Sequence, residues 1–245
     1  MRIMMSKIII FLSFFAVGLI GHIECYGQGK VTRIQPSANK ESAKHSIRGT
    51  SNGHEWVDLG LPSGTKWATC NVGTDKFDYY GDYFVWGSLQ VVKDENISWS
   101  KRPSYYNLGD SFSGLVKYDP ARSSWGLTWR TPTKEEFVEL VEYCQFTWTD
   151  EYDGGVWVQS KRNGQKIYLP ACGGCSGTQG YDYVRIAGLY WTSTAAPTEN
   201  TYGGVPDYAF CLQFISENKD GSIIIPTIRT DPRQACLSIR PVMSK

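Results

Sequence analysis

Residues 129–144, W-R-T-P-T-K-E-E-F-V-E-L-V-E-Y-C, constrain the fold more than any other stretch. Thr133 can cap a helix and Glu136, three residues on, can reach back to the cap, the reciprocal capping box. Pro132 before the cap can pack on Phe137 as a hydrophobic staple. Phe137, Leu140, Val141 and Cys144 then fall at i, i+3, i+4 and i+7, one apolar stripe that needs a core to face. Glu135, Glu136, Glu139 and Glu142 make up the rest of the helix surface, and a solvated charged face is the default reading.

Little else in the chain is helical. Asp119-Pro120 opens a second, short helix, with Asp as cap and Pro at the first helical position, and Gly126 stops it. Elsewhere the period is two. Residues 55–59 (E-W-V-D-L) alternate like a strand, and 60–64 (G-L-P-S-G) are a turn. Residues 65–70 and 83–86 are further short strands, and 87–118 read as an irregular surface excursion. Residues 156–160 and 166–169 flank the R-N-G turn of 162–164, a strong hairpin signal. Residues 173–188 form a glycine- and tyrosine-rich loop. Residues 189–193, 207–214 and 235–242 read as strands, with 222–225 as an extra one. Two short helices packed on a twisted antiparallel sheet with long loops is an α+β arrangement.

The N-terminus sets the compartment. Arg2 and Lys7 precede an uncharged apolar run from Ile8 to Ile20, followed by a short polar exit. This is the pattern of a secretory signal peptide over residues 1–27, with Cys25 and Gly27 as the small residues before cleavage. A lipoprotein acylated at Cys25 is the rival, disfavoured by Glu24 just before it. The apolar run is short for a membrane span, and no transmembrane segment is expected once the signal is removed. The protein is therefore expected to be exported, to the periplasm, the outer-membrane surface or the medium. Residues 28–53 carry five Lys/Arg against Glu41 and no aromatic, and read as a disordered basic tether. Residues 54–245 carry 18 Lys/Arg against 22 Asp/Glu and all nine tryptophans, enough for one well-buried domain. Their acidic balance argues against nucleic acid, which wants a basic footprint.

Several blocks, in order, resemble a known family. They are residues 57–73 (V-D-L-G-L-P-S-G-T-K-W-A-T-C-N-V-G), 80–87 (Y-G-D-Y-F-V-W-G) and 129–137 (W-R-T-P-T-K-E-E-F). The others are 164–173 (G-Q-K-I-Y-L-P-A-C-G), 188–194 (G-L-Y-W-T-S-T) and 238–242 (S-I-R-P-V). Together they are similar to the Fibrobacter succinogenes major paralogous domain family, abundant in exported proteins of gut Bacteroidetes. More distantly, they resemble the C-terminal domain of the Legionella collagen-like protein, whose W-R-x-P-T motif matches residues 129–133. The resemblance spans about residues 54–243. It implies a C-type-lectin-like fold, shared with formylglycine-generating enzymes, and says little about activity because that fold hosts unrelated functions. Some relatives are targets of diversity-generating retroelements that vary the C-terminal face.

Export also governs the cysteines. Without Cys25 there remain Cys70, Cys144, Cys172, Cys175, Cys211 and Cys236, an even number that favours disulfides over metal sites. Cys70 and Cys144 sit where the resembling family commonly has cysteine, and are the preferred bridge. Cys211 and Cys236, in expected strands, can pair across a sheet. Cys172-Gly-Gly-Cys175 resembles a redox pair but follows a strand rather than opening a helix, so a loop-pinning disulfide is the better reading.

Catalytic chemistry finds few footholds. His45 and His54 are the histidines left after signal removal, one in the tether and one at the domain edge. Neither a Ser-His-Asp arrangement nor an inward-facing zinc set can be built from them. Asp150, Glu151 and Asp153 offer oxygen ligands for calcium but lack the D-x-D-x-D-G spacing and a distal Glu. The E-P-N, Q-P-D and W-N-D signatures of calcium-bridged sugar binding are missing too; Pro197 to Asn200 and Val205 to Asp207 are loose echoes. No metal and no cofactor is expected, calcium being the one ion this chemistry would admit. Trp129, Trp148, Trp157 and Trp191 read as core or near-core. The ligand candidates are Tyr181, Asp182, Tyr183, Arg185, Tyr190, Asn200, Tyr202 and Asp207, in or beside the loops 173–188 and 194–206. Tyr and Arg supply rigid contact area at low entropic cost. The expectation is a non-enzymatic binding or adhesion module for an extracellular protein or glycan. Its alternatives are a cysteine-dependent oxidase, by analogy with formylglycine-generating enzymes, and a structural subunit of a surface appendage.

Overall fold

Asn52-Gly53 joins the first two strands by a two-residue turn in which both residues have positive φ, 49° and 81°, the twist-matched hairpin geometry. β1 (Arg48–Ser51) and β2 (His54–Asp58) pair across it, from Ser51 opposite His54 to Arg48 opposite Val57. This is a difference from the tether expected to run to residue 53. β1 lies inside the stretch expected to be tether, and the N-G turn is the local signal that marks the hairpin. The computed structural model describes residues 46–93, 108–175, 182–197, 208–216 and 226–244. The expected signal peptide, most of the tether and the strand at 222–225 lie outside the described residues.

The described chain is mostly β, a mixed α+β fold with two short helices and several antiparallel sheets. β2 pairs with β3 (Lys66–Ala68), and β3 with β13 (Val242–Met243). β13 also pairs with β5 (Trp129–Arg130), so the end of the chain sits between two early strands in the order β1-β2-β3-β13-β5. β4 (Phe84–Val85) pairs with β12 (Cys236–Leu237). β6 (Cys144–Thr149), β7 (Gly155–Ser160) and β8 (Lys166–Pro170) form one meander. β9 (Ala187–Ala195), β10 (Tyr208–Ile215) and β11 (Thr227–Pro232) form another, with β10 central.

Helix α1 (Pro120–Trp125) starts as expected, on the Asp119 carboxylate, and Gly126 ends it at φ 92°. That buried carboxylate also accepts the Gly114 N–H (2.7 Å) and the Thr131 hydroxyl (2.7 Å), tying the loop before α1 to the strand after it. Helix α2 (Lys134–Tyr143) has the full capping box: the Glu136 N–H reaches Thr133 Oγ1 and the Thr133 N–H reaches Glu136 Oε2 at 2.9 Å. Phe137 and Leu140 are fully buried, and Phe137 packs on Trp67 with ring centroids 5.1 Å apart.

Two readings of α2 are corrected. Cys144 is extended, at φ −117° and ψ 160°, and begins β6 instead of closing the helical stripe. C-Q-F-T-W-T alternates apolar and polar, so the period changes from helix to strand at that residue. Glu136 is not on a solvated face either. It is 8% exposed, and its carboxylate accepts both Arg130 Nη atoms (2.7 and 2.6 Å) and the Thr65 hydroxyl (2.8 Å). Glu139 is also engaged, accepting from the Ser63 N–H and hydroxyl.

The strand expected at 235–242 is two two-residue strands, which pair in different sheets. β11, T-I-R-T-D-P, is largely exposed and lies at a sheet edge, so it carries no apolar alternation from which to infer it. The main core joins Trp67, Phe137, Leu140, Val156, Leu169, Tyr190 and Leu212. A second cluster surrounds Trp86 and Trp191, and a third holds Trp56, Trp125 and Trp129. His54 stacks flat on Trp125 at 3.7 Å in this third cluster, and burial lowers its pKa.

Candidate functional site

The loop after β3, T-D-K-F-D-Y-Y at residues 74–80, folds back on itself. Thr74 Oγ1 accepts the Lys76 N–H at 3.1 Å, and the Tyr79 N–H reaches the Lys76 carbonyl. This turn pushes Phe77 outward, where it is 37% exposed. The ring is held by three others: Tyr152 (5.1 Å), Tyr168 (5.8 Å) and Trp157, which lies nearly parallel to it at 24° and 6.1 Å. Trp157 and Tyr168 are cross-strand partners on β7 and β8. Val156 and Val158 point into the core, so alternation places Trp157 on the opposite, outer face. Lys166 Nζ lies over the Trp157 ring, 4.0 Å from its centroid.

Two depressions flank this aromatic ridge. One, of about 620 Å³, runs from Arg48 and Glu55 past Thr69, Asp75 and Phe77 to Lys166 and Tyr168. The other, of about 650 Å³, is lined by Asp78, Tyr79, Tyr80, Tyr152 and Asp153. Asp78 lines both. Tyr152 and Asp153 lie in the 3-10 turn Glu151–Asp153, in left-handed conformations at φ 56° and 65°. Asp153 pairs with Arg185 at 3.0 Å, which brings the turn at 182–186 to the rim. Tyr183 and Arg185 there are left-handed too, at φ 62° and 67°. Three of the five non-glycine residues with positive φ among the described residues, Tyr152, Asp153 and Arg185, thus meet at this depression, and Tyr183 lies in the same turn as Arg185.

Electrostatics separates its wall from its rim. Burial pushes the Tyr168 and Tyr80 phenols up, the Tyr80 rise being opposed by the neighbouring Arg185 guanidinium. Lys76 is held up by its hydrogen bond to the Tyr79 hydroxyl at 3.2 Å. The Arg185–Asp153 pair is more than half exposed on both sides and worth little in stability. Asp150 accepts from Trp148 Nε1 at 2.8 Å. Among the described residues no three His, Cys, Asp or Glu side chains gather in a way that could hold a metal.

The expected ligand residues are divided by the structure. Tyr183 (58% exposed) and Arg185 reach solvent beside the groove, and Asp182 is half-buried, its N–H bonded to the Gly174 carbonyl. Tyr190 is corrected: it is fully buried, and its hydroxyl donates to the Pro170 carbonyl at 2.7 Å, so it is core. Tyr181, Asn200, Tyr202 and Asp207 lie outside the described residues, as does most of the loop 194–206. Phe77, Tyr79, Tyr80 and Tyr152 were not among the expected residues. The signal for the first three was a run of aromatics and acids, D-K-F-D-Y-Y, in a loop with no strand or helix to pack them. Trp129 and Trp191 are core and Trp148 packs against the main core, as expected, whereas Trp157 is half-buried on the outer face of its sheet.

The six cysteines expected to pair are all buried. Cys70 packs in the Trp56 cluster and Cys144 in the main core. Cys211 donates to Asp231 Oδ2 at 3.3 Å in the Trp86 cluster. Cys236 sits opposite Cys175, their backbones exchanging two 2.9 Å hydrogen bonds. Cys172 donates to the Leu189 carbonyl. Burial raises the thiols of Cys70, Cys172 and Cys211, and pushes Cys144 up to about 12. This is the reverse of what a nucleophilic thiolate needs. A scan against models of protein families, and searches among curated proteins and among solved structures, returned no match.

Proposed function

We propose that this is an exported, non-enzymatic binding or adhesion module of C-type-lectin-like fold, which recognises an extracellular protein or glycan. The ordered blocks that resemble the Fibrobacter succinogenes major paralogous domain support the fold and the export. The ligand lies along the aromatic groove and the adjoining turn at 182–186, which carries Tyr183 and Arg185.

The gathering of left-handed residues at that rim carries this reading. Each non-glycine residue held there costs on the order of 1 kcal/mol, and such strain collects at sites that position side chains for a ligand. Burial raises the thiols of Cys70, Cys144, Cys172 and Cys211, which disfavours these four as the nucleophile of a cysteine-dependent oxidase. The test is binding of the purified domain to arrays of glycans and of extracellular proteins, repeated with Tyr152→Ala and Arg185→Ala. A ligand whose signal falls about tenfold in both variants is expected. A ligand that binds both variants like the wild type would place recognition elsewhere.

A further inference from the structure

We infer that the groove binds a neutral oligosaccharide, with Phe77 as the ring on which a sugar stacks. This rests on the binding-module reading and names its ligand class. Three observations converge on it.

The first is the platform. Phe77 is an exposed ring in a loop, yet it packs against Trp157, Tyr152 and Tyr168. A pre-positioned ring gives contact area with no ordering cost at binding. A pyranose has a face of C–H groups that such a ring removes from water, as it does for any apolar surface.

The second is charge. Glu55, Asp75 and Asp78 in the larger depression are balanced by Arg48, Lys76 and Lys166. In the smaller one Arg185 offsets Asp153, Asp78 is shared with the larger depression and its cations, and the other three lining residues are tyrosines. Neither a polyanion nor a polycation gains from walls of balanced sign. A neutral polyol does, because each hydroxyl both donates and accepts, and can use carboxylates, ammonium groups and phenols alike.

The third is the backbone edge. β8 is the outer strand of its sheet and forms a wall of the groove, the place where an extended peptide would add as a further strand. Its outward carbonyls are occupied. Arg48 Nη2 donates to the Lys166 carbonyl at 3.4 Å, and Arg240 Nη2 to the Tyr168 carbonyl at 2.9 Å. Strand addition would have to displace both, so the edge favours a ligand read by side chains. Two depressions sharing Asp78 and divided by one ridge provide neighbouring subsites for consecutive sugars.

The experiment measures binding of the domain to labelled neutral hexasaccharides of glucose, mannose, xylose and galactose. Polygalacturonate and a sulfated glycan serve as anionic controls, all with and without EDTA. At least one neutral hexasaccharide should bind independently of EDTA. Phe77→Ala should weaken it ~10–100-fold, and Phe77→Tyr should keep it. Asp78→Asn, which leaves every ring in place, should also weaken it, so the result does not depend on whether Phe77→Ala folds. Binding of the anionic glycans alone, or of no hexasaccharide, overturns the inference. So does a hexasaccharide indifferent to Phe77→Ala and Asp78→Asn. A protein ligand sensitive to Tyr152→Ala, with no hexasaccharide bound, overturns the glycan inference and leaves the binding-module reading standing.

Discussion

Replacing Glu136 by Gln should destabilise the domain by about 4 kcal/mol. The carboxylate takes four hydrogen bonds, two from Arg130, one from the Thr65 hydroxyl and one from the Thr133 N–H. Glutamine keeps the shape but turns an NH₂ towards a set of donors and leaves Arg130 without its counter-charge. The side chains of Arg130 and Glu136 are only 18% and 10% exposed, so water screens the pair weakly. Removing one partner of such a pair costs about 3–5 kcal/mol, within which losing half the capping box contributes about 1 kcal/mol. Burial pushes the Glu136 carboxyl up, but the Arg130 hydrogen bonds and charge outweigh it and hold the group below its ordinary 4.5. A depressed acid contributes stability that is complete above the unfolded value and vanishes as pH falls through the folded one. The gap between wild type and Glu136→Gln should therefore be full at pH 7 and close below about pH 4.5. Urea titration followed by tryptophan fluorescence measures it, and a cycle with Arg130→Met should show about 2–3 kcal/mol of coupling. A loss under 1 kcal/mol at pH 7, a gap that does not change with pH, or additive single mutants would refute this account.

Gly53→Ala should cost about 1 kcal/mol in the same titration. Nothing lies within 4 Å of the new methyl group, so the whole effect is the left-handed backbone at φ 81°, and a neutral result would remove the hairpin turn. Arg240→Lys should cost about 2 kcal/mol or more although the charge is kept. The buried guanidinium spans Asn71 Oδ1, the Ala68 carbonyl and the Tyr168 carbonyl, a fork that one ammonium cannot reproduce, and a wild-type urea midpoint would contradict it.

The helix caps were legible because they are contained within a few residues. Thr133 and Glu136 satisfy each other, and Asp119-Pro120 sets both cap and first dihedral. The hairpin over β7 and β8 was legible for the same reason. β1 was missed because its sequence, R-G-T-S, carries no apolar content, and only its pairing with β2 makes it a strand. The aromatic groove escaped because its members lie far apart in sequence: Phe77 meets Tyr152, Trp157 and Tyr168 from a different segment. Tyr190 was misread because a tyrosine beside a glycine-rich loop looks exposed until its hydroxyl is seen to reach Pro170.

The sequence by itself determined the local devices: where α1 and α2 start, the R-N-G turn, and which strands have an apolar face. Each is a balance of backbone hydrogen bonds and dihedral preferences over four to eight residues, so neighbours along the chain suffice. The tertiary structure alone decided which polar groups are inside and which aromatic rings are outside. Glu136 is buried because Arg130 and Thr65 converge on it, and Arg240 because three acceptors surround it. Phe77 stays out because three rings from the second half of the domain fill the space beneath it. Burial depends on what comes to cover a side chain, and here the cover arrives from segments some 70 to 170 residues away.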